Sequence, residues 1–307
     1  MTIGTLDKKN VKLGFIGLGL MGRRLTQRLH SSGWNIQAWN RSSEPARAAS
    51  RMGIPTAPSI VRLVAESDIV LSCLANDAAV ESVYCDSAGV LSAAKPGTVL
   101  LEMSTISPQL SHLLHREALT QGTQMLDLAI SGSTPAVEAG TITLLAGGSH
   151  ETFEQCTPIF ESIARQWFFM GGPTSGIRMK LVLNLLLGIG MQAIAEAVSL
   201  GDHLQLDKAT FLDVLAKTTV IPPALVGKLQ KIKTGDYSPQ FPLRLMSKDM
   251  SLIMETARAA GADLPAASVA QRVLGSSVST SGDLDLSAIT PQVVALGGQQ
   301  PSLKEAS

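Results

Sequence analysis

The decisive stretch of this chain is LGFIGLGLMGRRLTQRLH, residues 13–30, followed closely by NIQAWNRS, residues 35–42. The first four residues predict a buried strand, and three spaced glycines then predict a tight turn that leads into a helix. Gly17 allows the turn, Gly19 lets a ligand approach the backbone, and Gly22 lets the helix pack on the strand. The second stretch begins with another predicted strand. This order of strand, Gly-x-Gly-x-x-Gly, helix and strand predicts a dinucleotide site with the pyrophosphate at the helix N-terminus.

The end of the second predicted strand bears on which dinucleotide binds. A fold that binds NAD places an acidic residue there to hold the ribose 2′-hydroxyl. This chain has Asn40 at that position, followed by Arg41 and Ser42. A carboxylate would repel a 2′-phosphate, whereas a guanidinium forms charge-assisted, bidentate bonds with it. We therefore predict NADPH in preference to NADH; the alternative is that Arg41 is an ordinary solvated surface residue.

Composition limits the class of protein. The 307 residues are 45% hydrophobic and carry no net charge, which is enough for a large core and suggests two domains. A neutral chain gives no indication of nucleic-acid or anionic-membrane binding. Cys73, Cys85 and Cys156 form no metal-binding spacing, so we expect a reduced, cytoplasmic setting and no metal.

One segment raises the question of a membrane. Residues 181–200 are apolar enough to suggest a membrane-spanning helix. The segment contains Asn184, Gln192 and Glu196, and each of these side chains is costly in lipid. We therefore expect a core or interface helix and no membrane insertion.

Strands and helices alternate to about residue 172, and the pattern then becomes helical. Further apolar strands are predicted at residues 68–74, 98–103, 124–130 and 141–146. Continuous apolar strands between helices predict an α/β fold with a mostly parallel, doubly wound sheet of Rossmann type. Later helices are predicted at residues 177–203, 208–217, 223–231, 244–260, 266–279 and, briefly, within 286–295. We therefore predict a dinucleotide-binding domain, residues 1–173, and an all-helical domain, residues 174–307, which begins with a long interdomain helix.

Lys180 and Asn184 form the most informative pair outside the glycine turn. They lie four residues apart, hence on one face of the predicted helix, and their neighbours are apolar. Desolvation lowers the pKa of an ammonium toward the range that suits proton transfer, which would make this lysine an acid/base group. The pattern fits equally well a lysine whose charged end reaches solvent, with an asparagine that fills a polar gap.

Short polar segments follow the predicted strands at the sheet edge where doubly wound folds bind ligands. Ser131-Gly132-Ser133 offers hydroxyl and N–H groups that suit a small carboxylate, although an ordinary polar turn fits as well. Ser104-Thr105 and Ala75-Asn76-Asp77 follow two other strands, and a bound dinucleotide should pass the latter. Lys248-Asp249, in the helical part, would by itself be a surface ion pair.

Taken together, these segments resemble the β-hydroxyacid dehydrogenase family over nearly the whole chain. The resemblance is carried in order by GFIGLGLMG (14–22), WNRS (39–42), EMST (102–105), ISGS (130–133), LLAGG (144–148), Gly176 with Lys180 and Asn184, FPL (241–243), KDM (248–250) and GDLD (282–285). The run MKLVLN, residues 179–184, most resembles the glyoxylate and succinic semialdehyde reductase branch.

The resemblance implies NADPH-dependent reduction of a small carboxylate-bearing carbonyl compound, with Lys180 as general acid/base and Asn184 as its orienting neighbour. It implies a substrate site of Thr105, Ser131, Gly132, Ser133, Phe241 and Asp249. Together with the motifs, it implies an NADP(H) site of Gly17, Leu18, Gly19, Leu20, Met21, Gly22, Asn40, Arg41, Ser42, Leu74, Ala75, Thr105 and Lys248. It also implies a homodimer or homotetramer built on the helical domain.

The chain departs from the family at three positions and leaves two other functions open. Many members have Pro in place of Ala129 and Gly in place of Ser133 and Thr174, differences that concern the substrate side and the hinge. An imine reductase shares the two-domain plan, but such enzymes usually carry Asp or Tyr in place of Lys180. The third possibility is a non-catalytic NADPH-binding interaction module, against which the retained Lys180 argues.

Overall fold

The computed structural model of the chain describes residues 6–297, of which the first part contains seven strands. They are β1 (Lys12–Ile16), β2 (Asn35–Trp39), β3 (Ile69–Ser72), β4 (Val99–Glu102), β5 (Gln124–Ser131), β6 (Ile142–Gly148) and β7 (Ala164–Gly171). They form one sheet in the order β2-β1-β3-β4-β5-β6-β7, in which β5 and β6 are antiparallel and all other neighbours are parallel. The predicted α/β class and mostly parallel, doubly wound sheet are confirmed.

Alternate residues of the central strands enter two separate cores. Leu71 and Leu101 pack in one core, and Val70 and Leu100 pack in the other. All four side chains are fully buried. Because successive side chains of a strand point to opposite faces, helices must cover both faces of this sheet. The covering helices are α1 (Gly22–Ser31), α2 (Ser43–Arg51), α3 (Ile60–Ala65), α4 (Asp77–Tyr84), α5 (Val90–Ala93), α6 (Pro108–Thr120), α7 (Thr134–Ala139) and α8 (His150–Ile163).

The seventh strand was not among the strands predicted from the sequence. β7 pairs with β6 at the edge of the sheet, and Arg165 and Gln166 on it are exposed. An edge strand needs no continuous apolar run, because solvent reaches one of its sides. The apolar run of this strand, residues 167–170, is also too short to distinguish a strand from a helix by pattern alone.

The remainder of the described chain is helical, as predicted. Its helices are α9 (Ser175–His203), α10 (Lys208–Lys217), α11 (Pro223–Thr234), α12 (Leu243–Ala259), α13 (Pro265–Ser276), α14 (Val278–Ser281) and α15 (Ile289–Gly297), with a 3₁₀ turn at Leu286–Ala288. The helix predicted at 266–279 is two helices in the structure, because the helix is interrupted at Ser277. Compact packing divides the chain into two units between Val182 and Leu183, within α9, whereas the sequence pattern changes just before this helix.

The second unit packs around the continuation of α9. Gly188 lies so close to α12 that a Cβ on it would be 2.6 Å from the sulfur of Met250. Met246, Met250 and Ile253 of α12 are buried. A glycine on one helix therefore receives thioether side chains from the other, which suits the unbranched, adaptable methionine.

Helix α9 is also the longest apolar segment of the described residues. By length and composition alone it could cross a membrane, with a mean hydropathy of 1.8 in its most apolar window. Less than half of that window, 44%, is buried inside the protein. The exposed remainder shows that packing within the chain does not cover all of its apolar surface.

Candidate active site

The glycine turn between β1 and α1 has the geometry that its sequence predicts. Gly17 has φ of +96°, and a Cβ on it would lie 2.9 Å from the Leu74 side chain. A Cβ on Gly22 would overlap the carbonyl oxygen of Gly17. A Cβ on Gly19, in contrast, would meet no atom within 4 Å. The backbone is therefore tightly packed around Gly17 and Gly22, whereas there is free space beside Gly19. This arrangement fits a pyrophosphate that approaches the backbone at the start of α1.

Asn40 ties the glycine turn to the end of β2. Its Oδ1 accepts a 2.9 Å hydrogen bond from the backbone N–H of Leu18, and its Nδ2 donates to the carbonyl of Ser42 at 3.0 Å. Both ends of the Asn40 amide are therefore used by backbone groups. The next side chain, Arg41, is exposed and forms no ion pair with any residue between positions 6 and 297. Of the two residues, Arg41 is the one available to a bound ligand.

A buried polar network holds the segment after β3. The backbone N–H of Leu74 donates to the Ser104 hydroxyl at 2.7 Å, and the N–H of Ser104 donates to Glu102 at 2.6 Å. Ser72 donates to the other Glu102 oxygen, so the Tyr84 hydroxyl must donate to Ser72, 2.7 Å away. Burial raises the pKa of Glu102, although the hydrogen bonds from Ser104 and Ser72 oppose it. Burial, and then the nearby carboxylate, raise the pKa of Tyr84 well above its ordinary value.

Helix α1 is bridged to the segment that follows β5. Arg24 donates to the carbonyl of Leu20 at 2.8 Å and forms a 2.5 Å ion pair with Glu138 of α7. Arg28 donates to the Glu138 carbonyl at 3.2 Å. These bonds hold Glu138, in the last turn of α7, beside α1 and the glycine turn, and α7 itself begins directly after the predicted carboxylate-binding segment.

That segment leaves its hydroxyl groups free for a ligand. Gly132 packs closely on β6, because a Cβ there would lie 2.8 Å from the Ile142 side chain. Ser133 precedes the first turn of α7, but its side chain caps no N–H of that helix. Neither Ser131 nor Ser133 uses its hydroxyl in a hydrogen bond within residues 6–297. Two hydroxyls at the end of β5 can therefore donate to a carboxylate.

Lys180 lies near the start of α9 and is partly buried, not fully buried. The residues before it are held by an acid that sequence reasoning missed. Asp127 of β5 accepts hydrogen bonds from the backbone N–H groups of Thr174 and Ile177, each at 2.8 Å. The signal for Asp127 was a lone acid in the middle of an otherwise apolar strand, which is costly unless it is fully hydrogen-bonded.

In the second unit, three predicted site residues lie together. Asn184 is buried, and its Nδ2 donates to Asp249 Oδ2 at 2.6 Å. Lys248 forms a 2.7 Å ion pair with the other oxygen of Asp249. The lysine and the acid are therefore no isolated surface pair, because the buried carboxylate also fixes the orientation of the Asn184 amide.

Phe241 is held by a second buried acid. Asp285 is fully buried and accepts from the backbone N–H groups of Gln240 at 3.0 Å and Phe241 at 3.2 Å. Lys228 donates to both oxygens of this carboxylate, at 2.8 and 2.7 Å. Burial alone would raise the pKa of Asp285, but the Lys228 ammonium outweighs it and lowers the pKa. Sequence reasoning placed Asp285 in a motif without a role, and here it fixes the backbone before α12.

The structure thus groups the predicted residues within each unit, while their roles stay predictions. In the first unit, direct contacts connect the glycine turn with Asn40 and with Leu74. Arg24 connects the start of α1 with α7, the helix that follows β5. In the second unit it joins Asn184, Lys248 and Asp249. A Rossmann-type sheet with this glycine turn defines a class of proteins that bind dinucleotides.

Two family profiles match successive parts of the chain. One, described as the NAD binding domain of 6-phosphogluconate dehydrogenase, matches residues 12–172. The other, described as NAD-binding of NADP-dependent 3-hydroxyisobutyrate dehydrogenase, matches residues 174–292. The chain belongs to the 3-hydroxyisobutyrate dehydrogenase-like family of NAD(P)-dependent hydroxyacid dehydrogenases, so the resemblance found in the sequence is confirmed.

Similar proteins of known name include enzymes and a nuclear factor. The chain is 32% identical to 2-(hydroxymethyl)glutarate dehydrogenase of Eubacterium barkeri, over 92% of this chain and 94% of that protein. It is 28% identical to glyoxylate/succinic semialdehyde reductase 1 of Arabidopsis thaliana, over 92% and 98%. It is 30% identical to the cytokine-like nuclear factor N-PAC of Anopheles gambiae over 87% of this chain, but it spans only about half, 47%, of that protein.

Solved structures agree with the family. A 3-hydroxyisobutyrate dehydrogenase from Salmonella typhimurium matches with a TM-score of 0.85 and 26% identity, over 92% of this chain and 100% of that one. Psf3 in complex with NADP⁺ and 2-OPP matches with a TM-score of 0.85 and 25% identity, over 92% and 99%.

Two glycine substitutions separate folding from ligand binding at the turn. We expect Gly22→Ala to lower the free energy of unfolding by about 3 kcal/mol, because its methyl group would overlap the Gly17 carbonyl. We expect the matched Gly19→Ala to change stability by less than about 1 kcal/mol. The same variant should weaken NADPH binding at least about tenfold, because its methyl group occupies open space on the ligand side. Urea unfolding and fluorescence titration measure the two effects, and unchanged NADPH affinity in Gly19→Ala would contradict the placement of the pyrophosphate.

Proposed function

We propose that this chain is an NADPH-dependent reductase of a small carbonyl compound that carries a carboxylate, with Lys180 as its general acid/base. The observation that carries the proposal is the environment of α9. Lys180 stands one helical turn before Asn184, and Asn184 is buried and oriented by Asp249. A lysine with fixed polar neighbours on a family fold that binds NAD(P) is suited to proton transfer.

The reaction converts a carbonyl group into an alcohol by adding a hydride to carbon and a proton to oxygen. The nicotinamide, when bound, supplies the hydride. We propose that the Lys180 ammonium donates a hydrogen bond to the carbonyl oxygen and gives it the proton as the hydride arrives. In the direction of oxidation, neutral Lys180 takes the hydroxyl proton.

The substrate carboxylate would bind at the end of β5. The Ser131 and Ser133 hydroxyls and the backbone N–H of Gly132 are donors at this point, and fixed donors orient the carbonyl for reaction. The names of the two similar enzymes support this substrate class, because glyoxylate, succinic semialdehyde and 2-(hydroxymethyl)glutarate all carry a carboxylate. Within the class we propose glyoxylate or succinic semialdehyde, on the basis of the MKLVLN run at 179–184.

Lys180→Met tests the central assignment. We expect kcat with NADPH and the preferred carbonyl acid to fall by about 10²–10⁴, because the proton donor is removed. The NADPH dissociation constant should change less than about twofold, since the glycine turn is untouched. The control is Arg178→Met, which removes an exposed positive charge two residues earlier on α9 and should leave kcat within about twofold. A Lys180→Met enzyme that turns over like the wild type would refute the assignment.

The same assay separates the proposal from an imine reductase. A panel of glyoxylate, succinic semialdehyde, 3-hydroxyisobutyrate, 2-(hydroxymethyl)glutarate and a cyclic imine is assayed with both nicotinamide cofactors in the matching oxidation state. Faster reduction of the imine than of every carbonyl acid would reverse the order of the two functions.

Asn40 and Arg41 give a test of the cofactor. Asn40→Asp keeps an oxygen that accepts from the Leu18 N–H but adds a negative charge where a 2′-phosphate would lie. We expect the ratio of kcat/KM with NADPH to that with NADH to fall about 10–100-fold, and to fall similarly in Arg41→Met. Arg51→Met, which breaks the exposed pair with Glu44, is the matched control. A wild-type preference for NADH, or a ratio unchanged by Arg41→Met, would count against NADPH.

A non-catalytic interaction module is the second candidate, and the similarity to N-PAC favours it. That protein is named a nuclear factor and not an enzyme, and this chain corresponds to about half of it. Tight NADPH binding without turnover on any member of the panel would support this candidate. Turnover that depends on Lys180 would exclude it.

We further propose a cytoplasmic homodimer or homotetramer, with no nucleic-acid or membrane partner. Leu186, Ala193 and Leu200 are exposed along one face of α9, and Leu204 is exposed just after the helix ends. A continuous apolar stripe on a helix marks a surface that another chain covers.

Negative charges placed on the exposed apolar stripe test whether it forms the interface between subunits. The double variant Leu186→Glu/Leu200→Glu should behave as a smaller species than the wild type in size-exclusion light scattering, because buried charges oppose association. Val220→Glu, at a well-exposed residue away from α9, should leave the mass unchanged. A wild-type protein that is monomeric, or that needs detergent to stay in solution, would contradict the proposal.

A further inference from the structure

We infer that Asp127 is a positioning residue for the reaction, which acts through Lys180 by fixing the start of α9. The inference rests on the proposed role of Lys180. Asp127 itself is placed to touch neither substrate nor cofactor, because its carboxylate is buried in the sheet and used by backbone donors.

The carboxylate of Asp127 takes over the free N–H groups of the helix start. Oδ1 accepts from Thr174, the residue before α9, and Oδ2 accepts from Ile177 in its first turn, both at 2.8 Å. The first N–H groups of a helix have no acceptor within the helix, and a negative charge there also interacts favourably with the helix dipole. One carboxylate on the sheet thus fixes the helix one turn before Lys180.

The backbone is shaped to fit this carboxylate on two sides. A Cβ on Gly147 would lie 2.7 Å from Asp127 Oδ1, and a Cβ on Gly176 would lie 2.9 Å from Oδ2. Side chains at these positions would push the carboxylate away from its donors. The two glycines therefore let β6 and α9 approach the acid closely enough to hold it in place.

Thr174 shows that the contact overrides local preference. Its φ is +72°, a left-handed conformation that is unfavourable for a β-branched residue, and the side chain is buried. In this conformation, at the entry to α9, the N–H of Thr174 donates to Asp127. The hydrogen bond therefore persists together with a local strain, which is expected where surrounding structure fixes the backbone.

A third donor fixes the orientation of the carboxylate. His115 of α6 lies 2.9 Å from Asp127 Oδ1 through its Nε2, and both side chains are less than 10% exposed. A carboxylate can only accept, so Nε2 carries the hydrogen of this bond. His115 also lines a surface cavity of about 450 Å³ with His112, Arg116 and Pro173, and Pro173 directly precedes Thr174.

The position of Asp127 along β5 gives the contact its functional consequence. Four residues later the same strand ends in Ser131, the first residue of the proposed carboxylate-binding segment. Strand β5 therefore holds the start of the helix that carries Lys180, through Asp127. The same strand also leads into the segment that would orient the substrate. Without the Asp127 contact the proton donor would move relative to the carbonyl. Small displacements of catalytic groups lower the reaction rate by large factors.

The Asp127→Asn variant tests the inference directly. One readout is hydrogen exchange of the backbone amides, which does not depend on enzyme activity. Thr174 and Ile177 donate to different oxygens of the carboxylate, and the amide replaces one of these oxygens with an NH₂ group, so one of the two N–H groups loses its acceptor. We expect faster hydrogen exchange in the peptide covering residues 174–181. We also expect kcat to fall about 10–100-fold, while NADPH affinity stays within about twofold.

Asp68→Asn is the matched control. Asp68 also accepts a 2.8 Å hydrogen bond from a backbone N–H, that of Lys12 at the start of β1, but it is exposed and lies just before β3. This variant should leave kcat and exchange at 174–181 unchanged. His115→Leu removes one of the three donors and should show a smaller effect than Asp127→Asn, whereas His115→Gln, which keeps an N–H donor, should recover most of the loss. The histidine pair also keeps the inference testable if Asp127→Asn does not fold.

The outcomes separate this inference from the proposed function. Wild-type exchange at 174–181 in Asp127→Asn would overturn the inference, whether or not kcat falls. Faster exchange with wild-type kcat would also overturn it, because Lys180 would not depend on the anchor. Faster exchange in a chain whose wild type reduces no carbonyl would leave the anchor in place and refute the proposed function instead.

Discussion

The cost of an unpaired backbone N–H group governs how this chain builds its functional segments. A segment that leaves a sheet or begins a helix loses its regular acceptors, and a buried N–H without one is destabilising. At four such points a single polar side chain supplies the acceptor. Asn40 accepts from Leu18, Ser104 from Leu74, Asp127 from Thr174 and Ile177, and Asp285 from Gln240 and Phe241. At three of these four points the acceptor, which is Ser104, Asp127 or Asp285, is not itself a predicted site residue.

This arrangement sharpens the argument about the cofactor. In the sequence, Asn40 and Arg41 together suggested a preference for NADPH, since an acid is missing. In the structure Asn40 has a separate task, because both ends of its amide bind backbone groups. The predicted preference for NADPH therefore depends on the Arg41 side chain and on the absence of a negative charge at position 40. An asparagine can hold the turn as an aspartate would, but without repelling a 2′-phosphate.

Features that depend on residues close together in the sequence could be predicted, whereas contacts between residues far apart in the sequence could not. The buried strands and the helices were predictable, because apolar periodicity is a local signal, and β7 was missed because its apolar run, residues 167–170, is too short to identify a strand. The glycine turn was predictable because its spacing occurs between a predicted strand and a predicted helix. Asp127 and its donors lie 47 and 50 residues apart, so no pattern in the sequence connects them. Lys180 was found through its neighbours, but its partial exposure depends on packing that those neighbours do not determine.

The three departures from the family now carry different weights. Ala129 is buried within β5 and pairs with Leu145 of β6, so the difference from proline concerns a strand pairing in the sheet. Thr174 lies at the entry to α9, where a glycine would adopt the positive φ without strain. Only Ser133 adds a group that a substrate could use, because its hydroxyl caps no helix N–H. Ser131 and Ser133 are both partly exposed, so a carboxylate bound as we propose would meet two hydroxyl donors at a place that water also reaches. Of the three departures, the one at Ser133 therefore bears most directly on the proposed substrate.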